Sequence, residues 1–172
     1  LVVPIAIFLS SFTALSGSGE ASTFLVGLLF MPVVLALVFR GIYPSYALEF
    51  NKSLLSLSTR VTAYILVLND NYPSIEESAD VKITYPEIDG GAKLNRYLPL
   101  VKWLLAVPLY IVGLVYVLYG LAVLLFAWIT ILFTGKMPAS SGQVLLGVTQ
   151  YWNRVNGYAF LLVTDEYPSF SL

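Results

Sequence analysis

Between Leu98 and Phe133 the chain runs through 36 residues whose only charge is Lys102, close to the start. A run of roughly 18 or more apolar residues with few charges reads as membrane-embedded helix. As one straight helix this run would be about 54 Å long, against a hydrocarbon core of roughly 30 Å. The sequence therefore predicts that it folds back as a helical hairpin, most simply near Tyr119-Gly120. Composition agrees with a membrane setting. Of 172 residues, 58% are hydrophobic and 11% charged, with mean hydropathy +0.82, where an ordinary soluble domain carries about a quarter charged residues.

The missing residue types exclude whole classes of chemistry. The chain has no Cys and no His. Thiolate nucleophiles, disulfides, iron–sulfur and zinc-thiolate sites are excluded, together with the commonest metal ligand and general base. No EF-hand spacing appears among Glu76, Glu77, Asp80, Glu87 and Asp89, which read as a solvated loop. The expectation is no catalytic residue, no metal and no cofactor. A net charge of −1 leaves no basic footprint for nucleic acid.

Upstream of the long run the chain alternates between apolar and mixed stretches. Leu1–Leu15 is apolar but covers only about 22 Å as a helix, which predicts a helix that begins further upstream. Ser16-Gly17-Ser18-Gly19-Glu20 is a turn, and a second apolar helix follows from about Ser22 to Phe39. From Ser45 to Leu68, Phe50, Leu54, Leu57, Val61, Tyr64 and Leu68 recur at three- and four-residue spacing, with charged and hydroxyl residues on the other faces. That spacing predicts an amphipathic helix lying in the membrane interface. Within the polar stretch 74–97, Val81-Lys82-Ile83-Thr84-Tyr85 alternates as a short strand would, and Pro86 ends it. A second mixed helix is expected over about 139–163.

The two halves share sequence marks. Phe39-Arg40-Gly41-Ile42-Tyr43-Pro44 matches Phe133-Thr134-Gly135-Lys136-Met137-Pro138, and Arg60-Val61-Thr62-Ala63-Tyr64 matches Arg154-Val155-Asn156-Gly157-Tyr158, both at a spacing of 94 residues. Leu1–Phe8 matches Leu105–Val112 at 104, and Asp70-Asn71-Tyr72-Pro73-Ser74 matches Asp165-Glu166-Tyr167-Pro168-Ser169 at 95. These matches predict an all-α integral membrane fold of two parallel repeats with one short strand in the linker. The first repeat is 1–73, with a transmembrane hairpin at about 1–39 and an interfacial helix at about 45–68. Residues 74–97 are the linker, with its strand at 81–85. The second repeat is 98–172, with a hairpin at about 98–134 and an interfacial helix at about 139–163. On this layout all nine cations fall on one side, so the positive-inside rule places the termini and linker in the cytoplasm.

The blocks Leu94–Trp103, Ala127–Gly135 and Tyr158–Pro168 resemble an uncharacterised bacterial membrane family, domain-of-unknown-function family 4389, over about residues 37–172. Where that family has a basic-Tyr-Pro corner, this chain has Lys136-Met137-Pro138. The resemblance implies a multi-pass protein of the bacterial inner membrane and implies no particular activity.

Candidate sites are few. Arg60 with Asp70, and Arg154 with Asp165, recur in both halves and would suit anionic lipid headgroups, since a guanidinium grips phosphate bidentately. The plainer reading is that each Arg fixes a corner of the chain. Tyr72, Trp103, Trp152 and Tyr167 read as interfacial aromatics. Serines abound without a His or helix-borne Lys placed to activate one. The expected role is that of a non-catalytic accessory or scaffold subunit of a larger membrane complex, with the bilayer and other membrane subunits as partners. The alternative is a lipid-binding or lipid-organising protein that uses its paired interfacial helices.

Overall fold

A computed structural model describes residues 21–74 and 81–172; in the first helix it describes side chains at Phe30 and from Pro32 onward. Among these residues lie five α-helices: α1 (Ala21–Arg40), α2 (Ser45–Ile65), α3 (Pro99–Leu105), α4 (Val107–Thr134) and α5 (Ala139–Ala159). A single 3-10 turn occupies Asp89–Gly91. The expected first helix of the first hairpin and its Ser-Gly turn, in residues 1–20, lie outside the described residues.

The two corners follow from their Gly-x-x-Pro sequences. Gly41 and Gly135 end α1 and α4 in the left-handed region, at φ +64° and +68°, and their N–H groups close the last turn on Leu37 O (2.9 Å) and Ile131 O (2.8 Å). Glycine meets no Cβ penalty there. Three residues on, Pro44 and Pro138 adopt extended backbone, and their carbonyls accept from Leu48 N and Gly142 N, each at 3.1 Å. So α2 and α5 start where the mixed stretches start, ending at Ile65 and Ala159.

The long apolar run is not a hairpin. It forms the short α3 and then one uninterrupted helix of 28 residues, α4. The two are joined through Ala106 just ahead of Pro108, whose missing N–H and bulky ring weaken the join. Gly120, the expected turn, sits inside α4, and a Cβ there would meet Val148 Cγ2 at 3.4 Å. Gly113 lies closer still under the Trp152 indole, where a Cβ would come within 2.7 Å of the ring. Ala106, Gly113, Gly120 and Ala127 are all buried at a seven-residue spacing, which lines up one face of a helix. The glycines admit a neighbouring helix, and that neighbour is α5. It turns back at Gly135–Pro138 and runs antiparallel to α4 with Leu145, Val148, Trp152 and Val155 against this seam. The observed hairpin is therefore α4–α5, and among the described residues one helix, α4, is long and apolar enough to cross a membrane. Among the described residues there are not four spans in two hairpins.

The expected strand is also corrected. No strand occurs among the described residues. Residues 81–85 are extended, and Val81, Ile83 and Tyr85 are half-buried while Lys82 and Thr84 are exposed. The alternation is present, but side chains rather than a ladder hold it. Ile83 and Tyr85 pack on the core formed by α1 and α2. The Tyr85 hydroxyl donates to Lys52 O (3.0 Å), and Lys52 Nζ stands 5.2 Å over its ring.

Nor do the halves fold as two separate units. Leu161, Leu162 and Val163, just past α5, are buried with Val33, Val34 and Leu37 of α1 and Ala47 and Leu55 of α2. The Tyr43 hydroxyl donates to Leu161 O at 2.6 Å. A second cluster joins Ala106 and Leu109 to Tyr151, Val155, Tyr158 and Ala159, and Phe160 packs on both clusters. The tail of one half completes the core of the other.

Candidate functional site

The most enclosed polar group is the single charge of the apolar run. Lys102 is fully buried, and an unpaired charge in such a place is very costly. Its Nζ donates to Thr164 O at 2.6 Å, lies 2.7 Å from Asp165 Oδ1, and stands 5.1 Å over the Tyr158 ring. The other Asp165 oxygen accepts from Asn95 N at 2.6 Å. One carboxylate thus ties the linker, α3 and the C-terminal tail together. Burial pushes the Lys102 ammonium below the ordinary lysine range, and Asp165 opposes that shift.

The sequence pairs Arg154 with Asp165 and Arg60 with Asp70, and the structure distributes them differently. Asp165 belongs to Lys102. Arg154 Nη2 donates to Ser171 O, its guanidinium lies 6.0 Å over the Tyr151 ring, and its Nε–H is buried without an acceptor. Arg60 donates to Ser56 O (3.2 Å) and Ser74 O (2.9 Å), while Asp70 is exposed. Each arginine thus holds the backbone that leaves a Tyr-Pro-Ser segment. Of the aromatics, Tyr72 packs edge-on against Tyr64 at 6.2 Å, and Tyr167 against Tyr158 at 5.7 Å. Trp103 is exposed, with its Nε1–H on Leu100 O at 2.7 Å. Trp152 stacks on Tyr110, and its Nε1–H is buried with no acceptor.

Where α2, α4 and α5 meet, they enclose a cleft of about 310 Å³, at the low end of the roughly 300–1,000 Å³ of small-molecule sites. Val117, Leu121 and Leu124 of α4 form its apolar floor. Ser58 and Thr62 of α2, with Asn153 and Asn156 of α5, supply hydroxyls and amides, and no charged side chain lines it. Trp152 lines it as well. Thr59 and Asn153 hydrogen-bond across the α2–α5 crossing at 3.1 Å. On the far side of Asn153 lies a second cavity of about 450 Å³, bordered by Ile83–Pro86, Arg154 and Glu166.

Sequence reasoning missed Lys102, the α4 glycines and the Thr59–Asn153 pair. Signals existed for each. Lys102 is the one charge in 36 apolar residues, Gly113 and Gly120 keep a seven-residue step, and Thr59 and Asn153 precede the repeated arginines by one residue.

Residues 99–171 match the family described as domain of unknown function (DUF4389). The matched segment holds α3, α4, α5 and the tail, and so contains both Lys102 and Asp165. No curated protein and no solved structure matches the chain.

Proposed function

We propose that this chain, which carries a DUF4389 domain over residues 99–171, is a non-catalytic accessory or scaffold subunit held in a bacterial cytoplasmic membrane through α4. The observation that carries this reading is the state of α4. Only 22% of its most apolar window is buried, so it is not the core helix of a soluble fold. Ile111, Leu118, Phe126, Ile129 and Phe133 are all more than half exposed, and apolar surface on this scale calls for lipid or a partner subunit. Purification from native membranes in mild detergent tests the proposal. Membrane subunits at fixed stoichiometry support it, and a chain that elutes alone from every detergent overturns it.

A second reading, a lipid-binding or lipid-organising role, is favoured by the α2–α4–α5 cleft. An apolar floor, uncharged hydrogen-bonding walls and the unpartnered Trp152 Nε1–H suit an acyl chain with an ester or hydroxyl at its head. Mass spectrometry of the same preparation distinguishes the two. One lipid retained per chain and lost in Thr62→Phe, which fills the cleft, favours this reading, whereas a lipid content that follows the bulk membrane argues against it.

A further inference from the structure

We infer that α4 does not cross the bilayer but lies along one leaflet, with α5 as its polar roof and the acyl region of an anionic membrane surface as the partner of its free face. The inference rests on the membrane reading above and specifies how the chain sits. Three observations lead to it.

The first is the pairing of α4 with α5 from Leu109 to Phe126, which includes the middle of α4. Tyr151 donates to Leu109 O (2.8 Å), Trp152 covers Gly113, and Val148 covers Gly120. Towards the other end, Ser140 and Ser141 border a shallow hollow with Phe126. An upright α4 would therefore carry α5 upright beside it, taking the exposed Gln143 and Gln150 to hydrocarbon depth, where polar groups find no water. A helix in the plane keeps them on the aqueous side. The second is length. An unbroken helix of 28 residues is about 42 Å long, well over the roughly 30 Å of hydrocarbon. In the plane, that length carries no mismatch.

The third is charge. The exposed Arg96 precedes α4 with Arg40 at the neighbouring corner, and the exposed Lys136 follows it. A crossing helix puts these cations on opposite surfaces. An in-plane helix puts them in one headgroup layer, where basic residues attract anionic lipid. The face of α4 turned away from the seam presents Ile111, Val115, Leu118, Phe126, Ile129 and Phe133, from 56% to 86% exposed, with no polar side chain among them. That is the face a leaflet would accept.

The chain lacks cysteine, so single-cysteine variants report cleanly. Ala92→Cys and Ser140→Cys stand at exposed positions before and after the α3–α4 run. In intact cells expressing the full chain, a membrane-impermeant maleimide should treat both alike, each protected until the cells are permeabilised. Labelling of one and protection of the other would overturn the in-plane arrangement and leave membrane attachment standing. The second arm places nitroxides at Ile111→Cys, Leu118→Cys and Ile129→Cys in vesicles of phosphatidylcholine with one-third phosphatidylglycerol. Equal accessibility to oxygen at all three positions is expected. A profile in which Leu118 is several-fold deeper than Ile111 and Ile129 would mean that α4 crosses. A chain that stays with neither membranes nor vesicles would overturn this inference and the proposed function together.

Discussion

The corner joining α1 to α2 and the corner joining α4 to α5 are built from the same local parts, yet they sit in different surroundings. Each has a left-handed glycine, Gly41 or Gly135, followed by an extended proline. Each following helix ends just before a residue forced to positive φ, Val67 at +58° and Leu162 at +57°. Each carries an arginine that donates to a backbone carbonyl of the departing segment. Beyond these parts the regions diverge. Val67 is half-buried and Leu162 fully buried; Asp70 is exposed and Asp165 holds Lys102. Among the described residues, only α4 brings two glycines against the helix that follows it. Equal local sequence therefore produced equal backbone, and the packing around it produced unequal energetic weight.

Substitutions at matched positions test that comparison, and the core position should respond most. Leu162→Ala removes a buried side chain shared by both halves and should cost about 3–4 kcal/mol in a denaturant titration. Its counterpart Val67→Ala should stay within about 1 kcal/mol, because a half-buried residue at strained φ has less packing to lose. Equal losses at the two sites would remove the distinction.

The acidic pair comes next. Asp165→Asn removes the counter-charge of a buried ammonium and leaves one amide oxygen where two carboxylate oxygens served Lys102 and Asn95. It should cost about 3 kcal/mol, the low end for breaking a buried pair, since the Asp165 side chain keeps 26% of its surface exposed. Asp70→Asn should change stability by less than about 0.5 kcal/mol. Thermal unfolding in one detergent measures both.

A smaller effect separates the two kinds of glycine. A Cβ at Gly113 would come within 2.7 Å of the Trp152 ring, and nothing stands near one at Gly135. Gly113→Val should cost about 2 kcal/mol by prying α5 off the seam and should shift Trp152 fluorescence. Gly135→Ala should cost about 1 kcal/mol, from its left-handed backbone alone, with that fluorescence unchanged.

The smallest expected effect is on pH dependence. Because Lys102 titrates lower in the folded chain than in the unfolded one, the unfolded chain binds more protons between that lowered value and 10.5. Stability from this group therefore rises with pH across that window. Burial raises the Tyr43 and Tyr85 hydroxyls, so their contribution is intact below pH 10 and falls above it, with the opposite sign. The difference in unfolding free energy between the native chain and Lys102→Met, followed from pH 7 to 10, should tilt in favour of the native chain as pH rises. A flat difference would mean that Lys102 keeps an ordinary affinity for its proton when folded.

What the sequence determined by itself was local. Gly-x-x-Pro specifies a helix end and the next helix start, because glycine reaches positive φ and proline holds an extended entry. Three- and four-residue apolar spacing ran through Ser45–Leu68, where α2 forms, whereas the alternation at Val81–Tyr85 predicted a strand that the described residues do not contain. Only tertiary structure decided what those parts met. Gly120 reads equally as a turn or as a contact point for another helix, and the approach of α5 selects the second, because burying the seam outweighs a fold-back inside the run. The extended linker found a tyrosine anchor on α2 where a strand would need a ladder. Asp165 could reach an arginine eleven residues away or a lysine 63 residues away, and it took the lysine because Lys102, fully buried beside the Tyr158 ring and the Thr164 carbonyl, had no water to turn to.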